Sequence, residues 1–300
     1  SGPPALAANK RILFIGDSTM FGVGAGVPET TTTGTGEYTD ARKNSIAVKA
    51  KDALVTLGLP AIAASSFTDG NNGIANMTTY DPRVVNSGGV QPSETPSIGG
   101  SGLRFSSTGN QITFAPAEQV DTFDVYHPRR SANGVMALSV DGGAITSISQ
   151  VITPNDFVKS TITTTKGTHT LTIGRVSGAV WVSAINAYDS ATPSLQILNA
   201  GVRNSSSVNW IDATYPHSPL NAIPVIAPHL SVIALGINDA RSGGSGVSVA
   251  TFQANIQTII DKCKLSGGVL LMYPTPIGSY RADFTQAQLN GAYDALAAAN

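Results

Sequence analysis

Apolar residues fall into two patterns along this chain. Near both ends they form short unbroken runs, Ile12-Leu13-Phe14-Ile15, Ile197-Leu198, Val232-Ile233-Ala234-Leu235 and Val269-Leu270-Leu271. Such runs, closed by glycine or a polar residue or, for the last, by Pro274 and Pro276 after Met272-Tyr273, are the signature of strands buried on both faces of a parallel sheet. Helical spacing alternates with them. Ile46, Val48, Ala53, Leu54 and Leu57 give one apolar face, with Asn44 as cap and Gly58 as stop. Phe252, Ile256, Ile259 and Ile260 predict a helix over 249–265, and Leu289, Tyr293 and Leu296 another over 284–299. A shorter helix is expected over 206–213. The prolines at 216, 219, 224 and 228 read as a rigid connection, and the glycine- and threonine-rich stretch 20–43 as a loop lining the site.

From 103 to about 189 the period becomes two. Gln111-Ile112-Thr113-Phe114, Phe123-Asp124-Val125-Tyr126, the stretch 135–140, Ser149-Gln150-Val151-Ile152, the stretches 158–162 and 169–173, and 180–185 all alternate or nearly so. Asp141-Gly142-Gly143 and Thr165-Lys166-Gly167 read as hairpin turns. Seven or eight short strands at this spacing predict an antiparallel β-sandwich of jelly-roll type. Residues 61–67 read as one more strand whose sheet is left open, and 74–85 as a short helix. The expected organisation is an α/β domain over 10–67 and 193–300, a Pro/Ser/Gly connector over 68–102, and an inserted sandwich over 103–190.

Composition narrows the function classes. The net charge is −1, so no polyanion-binding surface is advertised and no nucleic-acid partner is expected. Charged residues make up 12%, about half the usual share, with Gly, Ser, Thr, Asn and Ala in their place. That balance suits extracellular or virion-associated proteins. Cys263, the single cysteine, excludes an intramolecular disulfide and reads as a core residue of its helix. No apolar run reaches the ~18 residues of a membrane span. No Gly-x-Gly-x-x-Gly follows the first strand and no Walker-type loop occurs, so neither a nucleotide nor another cofactor is expected, and no metal.

The polar residues that end the strands carry the chemistry. The first strand ends in Gly16-Asp17-Ser18, the second in Asn199-Ala200-Gly201, and the third in Gly236-Ile237-Asn238-Asp239. Ligands of open α/β sheets bind at the carboxyl ends of strands, so Ser18 stands where chemistry is done. Gly-Asp-Ser alone is weak evidence, since chance supplies it in roughly one chain in ten of this length. Three such strand ends in this order resemble the SGNH (GDSL-type) hydrolases, whose lettered residues are Ser, Gly, Asn and His. Ser18, Gly201 and Asn238 match the first three. The resemblance covers residues 10–20 and 193–300, and it implies a flavodoxin-like three-layer domain. Some SGNH-type carbohydrate esterases carry a similar inserted sandwich resembling a carbohydrate module.

A serine hydroxyl needs a base to become a nucleophile and donors aimed at the developing oxyanion. Gly201 lacks a side chain, so its N–H can approach an acyl group, and Asn238 offers an amide. The resemblance assigns the Ser18 N–H, the Gly201 N–H and the Asn238 amide to the oxyanion, and makes Asp17 and Asp239 holders of the loops. Its fourth residue, a His in an Asp-x-x-His motif, is absent from this sequence. The expectation is that it follows Asn300 or is carried by a second chain. None of the four histidines is expected to be the base. His229 precedes its strand and lies about 20 Å from the active edge, His217 lies at the same far edge, and His127 and His169 belong to the sandwich. His127, before Pro128-Arg129-Arg130, reads as loop, and the two arginines as a solvated pair. Tyr126, Trp181 and Tyr188 are the sandwich's candidates for glycan contact, although Trp181, between two valines, reads as core. The function implied is a serine esterase removing O-acetyl groups from a polysaccharide, with a homo-oligomer or larger assembly left open. The alternative is an inert glycan-binding or adhesion module that retains the fold.

Overall fold

The computed structural model of the chain describes residues 5–22, 41–68, 81–276 and 279–300, and the backbone alone at 41 and 91–95. The molecule is mixed α/β with several sheets. The first strand, β1 (Lys10–Gly16), leads through the buried Asp17 into a single helical turn, α1 (Ser18–Phe21). The helix α2 (Ile46–Thr56) is capped by Ser45, whose hydroxyl accepts the Val48 N–H, one residue later than expected. The expected strand over 61–67 splits. β2 (Ala61–Ile62) joins the parallel sheet, and Ser65–Phe67 turns away to pair with Ala184–Tyr188 of the insertion.

After the insertion come β3 (Leu195–Asn199), α3 (Ser207–Trp210), α4 (Pro219–Ile226), β4 (Leu230–Ala234), α5 (Ile237–Ala240), α6 (Val249–Lys264), β5 (Gly268–Leu271) and α7 (Gln286–Ala299). The five strands pair in parallel in the order β5-β4-β1-β3-β2. Their alternating side chains explain the unbroken apolar runs. Phe14, Ile197 and Val232 pack with α2, whereas Leu13, Ile15, Leu198 and Ile233 pack into the core that holds residues of α4, α6 and α7. Both faces of β1, β3 and β4 are therefore covered, as a parallel sheet requires, whereas Leu270 of the edge strand β5 is 53% exposed. α4 replaces the expected rigid connection. Pro219 sits in its first turn, where no intrahelical N–H is needed, and Pro224 is accommodated in an eight-residue helix that ends at the left-handed Ala227.

Among the described residues the insertion comprises three sheets of five, four and three strands, whose paired strands are all antiparallel. Residues of all three enter one core, among them Ile112, Phe123, Leu138, Ile173, Leu103 and Val180. In the four-stranded sheet, the inner strands Val120–Arg129 and Ala184–Tyr188 are buried on both sides, whereas the edge strand Asp156–Gly167 is partly exposed. Phe123 and Val125 of its strand Val120–Arg129 face the sandwich core, and Tyr126 joins the core of the α/β layer with Phe67, Phe157 and Ala184.

Three expectations change here. Val84–Ser87, Gln91–Ser97 and Gly100–Phe105, expected as connector, are strands paired within the insertion. Of the helix expected over 74–85, residues 74–80 lie outside the described residues and 84–85 are strand. Thr165-Lys166-Gly167 is no hairpin, because Asp156–Gly167 pairs with Val120–Arg129 and the next strand, Leu171–Ser177, lies in the other sheet. Asp141-Gly142-Gly143 does close a hairpin between Val135–Val140 and Thr146–Ser149, with φ of 53° and 69° at its first two residues, as a tight hairpin demands. No helix among the described residues is long and apolar enough to cross a membrane.

Candidate active site

The sheet reverses direction of growth at β1. The chain lays β3 on one side of it and β4 on the other, and the crevice outside the carboxyl ends at such a point is the usual ligand site of an open α/β sheet. Three loops converge there. Gly16 O accepts the Val202 N–H at 3.0 Å and the Ser205 hydroxyl at 3.3 Å, tying the end of β1 to the loop after β3. Asn238 Nδ2 donates to Ser205 O at 2.8 Å, tying in the loop after β4. The structure thus gathers the segments holding Ser18, Gly201 and Asn238.

Ser18 is half-buried and opens α1. As the first helical residue, its N–H has no intrahelical acceptor. Asp17 caps the same turn: its Oδ1 accepts the Thr19 N–H at 2.9 Å and the Thr19 hydroxyl at 2.8 Å, while Oδ2 is buried without a hydrogen-bond partner. Burial pushes its carboxyl up to about 6. Asp239 is fully buried behind the site and accepts from Ser207 N at 3.0 Å, Ser207 Oγ at 2.7 Å and Ser245 Oγ at 3.1 Å. Its carboxyl too is raised, by burial first and against those hydrogen bonds. Both aspartates therefore fasten loops.

Asn238 is 5% exposed, and its amide is oriented by the Ser205 carbonyl. Gly201 is a different case. Its N–H donates to Asn199 Oδ1 at 3.0 Å, so that donor is engaged inside the loop. Its lack of a side chain serves packing instead, because a Cβ here would meet Phe21 N at 2.4 Å. The residue not anticipated from sequence is Asn204. It is exposed in the left-handed conformation at φ 57°, a region that non-glycine residues other than Asn and Asp rarely occupy. Asn204 lines two cavities. One, of about 330 Å³, lies over Asn238, Arg241 and the loop at Gly244. The other, of about 120 Å³, lies between that loop and Pro96, Ser97 and Gly100 of the insertion. Ser18 lines neither, and residues 23–40, expected as a loop lining the site, lie outside the described residues.

The four histidines all lie elsewhere. His229 stands at the amino end of β4, where its Nδ1 accepts the Arg11 N–H at 3.1 Å. His169 closes the 141–143 hairpin through Asp141 at 2.5 Å, which raises its pKa. His217 is buried, stacks on Tyr215 with ring centres 5.3 Å apart, and meets Arg130 of the insertion at 3.2 Å. His127 is buried in a strand, not looped, and contacts Ser160 Oγ at 2.8 Å; burial lowers its pKa to about 4. The adjacent arginines are not a solvated pair either. Arg129 forks onto Asp156, and Arg130 stacks over Trp181 with 5.6 Å to the ring centre. Tyr126 and Trp181 are buried, so neither offers a ring to a glycan. No group of three or more His, Cys, Asp or Glu among the described residues could hold a metal ion.

No protein-family model and no curated protein matches the chain. Solved carbohydrate esterases align with parts of it. A two-domain esterase active on acetylated mannans aligns at 18% identity over 36% of this chain and 34% of its own, with a TM-score of 0.30. The chain thus spans about a third of that enzyme's length. A family two carbohydrate esterase from Cellvibrio japonicus aligns at 12% identity over 73% of this chain and 83% of its own, with a TM-score of 0.28. Protein YXIM from Bacillus subtilis aligns at 14% over 79% and 75%, with a TM-score of 0.32. Scores this low carry no argument about the site, and the functional reading rests on the residues.

Proposed function

We propose that the chain is a serine esterase of SGNH type that removes O-acetyl groups from an extracellular polysaccharide. The observation that carries this reading is the fastening of Asn238 and the 202–205 loop onto the end of β1 beside Ser18. Ser18 Oγ attacks the ester carbonyl, the sugar hydroxyl departs, and water releases acetate from the acyl-enzyme. The Ser18 N–H and the Asn238 amide are the oxyanion donors. Asn204, beside Asn238, takes the third place in preference to Gly201, whose N–H is already used. The strand order β3-β1-β4-β5, with the two-residue β2 as an added edge, supports a flavodoxin-like arrangement of the domain.

A second reading has its own observation. All four histidines are held away from Ser18, which favours an inert glycan-binding module. A general base typically contributes 10²–10⁴-fold, so a soluble base should reveal the nucleophile. In p-nitrophenyl acetate hydrolysis, imidazole is expected to produce a saturable rate in the wild-type chain that is absent in Ser18→Ala. Identical rates in the two proteins at every imidazole concentration would sink the esterase and leave the binding module.

A further inference from the structure

We infer that Arg241 makes the cavity over Asn238 a site for a sugar carrying a carboxylate, a uronic acid residue; this rests on the esterase reading for its purpose but not for its test. The cavity of about 330 Å³ is walled by neutral polar groups, Asn204, Asn209, Asn238 and Ser245 among them, and by one cation, Arg241. Amides and hydroxyls suit sugar hydroxyls but give no reason for a charge. The side chain of Arg241 is exposed and makes no hydrogen bond or ion pair among the described residues.

The carboxylates nearby do not explain it. Asp239 is fully buried and turned to Ser207 and Ser245. Asp17 is fully buried on Thr19, and Arg241 is the weakest influence on it. Asp283 is taken by Arg281. The backbone of Arg241, by contrast, is pinned: its N–H donates to Ile237 O at 2.9 Å, its carbonyl accepts the Gly244 N–H at 3.0 Å, and it bridges to Tyr280. A guanidinium on a fixed stem, one turn beyond the Asn238 amide, is a planar two-pronged donor that matches a carboxylate.

The experiment is calorimetric titration of the full chain with trigalacturonate and with neutral mannotriose, in wild type, Arg241→Gln and Ser18→Ala. Wild type is expected to bind the acidic trisaccharide at least about 10-fold more tightly. Arg241→Gln should lose that preference while keeping its melting temperature, since the side chain makes no hydrogen bond or ion pair among the described residues. Ser18→Ala should retain it, which separates this result from the fate of the esterase reading. Equal affinities in wild type, no binding of either sugar, or an acidic preference that survives Arg241→Gln would each overturn the assignment.

Discussion

Gly201→Ala is expected to lower the melting temperature by roughly 6–10 °C and to cut Ser18-dependent turnover about 100-fold. An added Cβ would lie 2.4 Å from Phe21 N, 2.8 Å from Met20 C and 2.9 Å from Phe21 Cα. All three are backbone atoms, so no rotamer change relieves the overlap. Overpacking of this kind costs about 3 kcal/mol, the upper end of the usual range. The relief available is to push α1 away from the loop after β3. α1 begins with Ser18, and misplacement of a reacting group by about 1 Å costs about 100-fold in rate. Differential scanning calorimetry and the imidazole-supported assay read the two effects. A variant that melts like wild type would show that the approach of these two segments is looser than described.

That prediction also marks how far the sequence reading of the site reached. Gly201 was legible as a glycine at a strand end, and it does face the segment carrying Ser18. Its purpose was not legible, because an engaged N–H and an open N–H look alike in one dimension. The strand ends that carry Ser18 and Asn238 were readable because each closes a buried apolar run. Asn204 was hidden, since nothing in Val202-Arg203-Asn204-Ser205 announces a positive φ; the tolerance of Asn for that region was the one available hint.

The same division holds for the fold. β1, β3, β4 and the helices α6 and α7 emerge from apolar periodicity because both their type and their burial are set locally. The insertion's edge strands do not. Gln91–Ser97 reads Gln-Pro-Ser-Glu-Thr-Pro-Ser and pairs on one side only, in the three-stranded sheet. Prolines are tolerated at such an edge and disguise it as a connector. The strand Val120–Arg129 hid His127 for the opposite reason. Both its faces are covered, so polar Asp124 and His127 are buried by tertiary contacts that alternation cannot foresee. Asp124 is satisfied by Thr161 Oγ1 at 2.6 Å and Lys159 at 3.0 Å, two side chains from the neighbouring strand.

Asp17→Asn is expected to gain stability relative to wild type as pH rises from about 4 to about 6, and to keep that gain at higher pH. Folding raises this carboxyl from 3.8 to about 6, chiefly because burial disfavours the charged form. Between those two values the unfolded chain has released its proton and the folded chain holds it. Stability therefore falls as pH rises through this window, and it stays lower above about pH 6. The shift of about 2 pH units corresponds to about 3 kcal/mol, undiminished by solvent because Asp17 is fully buried. Asparagine keeps an oxygen for the Thr19 N–H and hydroxyl, so the cap that sets the start of α1 survives, and with it the placement of Ser18. Its amide replaces Oδ2, which has no partner to lose. Urea unfolding at pH 4 and pH 8 reads the effect as a change with pH in the difference between variant and wild type, in which other titrating groups cancel. A gain in the variant of about 3 kcal/mol from pH 4 to pH 8 is the expected result. A difference that does not vary with pH would mean that Asp17 ionises as freely in the fold as out of it. A carboxylate held at this cost stands immediately before Ser18, the residue on which the proposed chemistry depends.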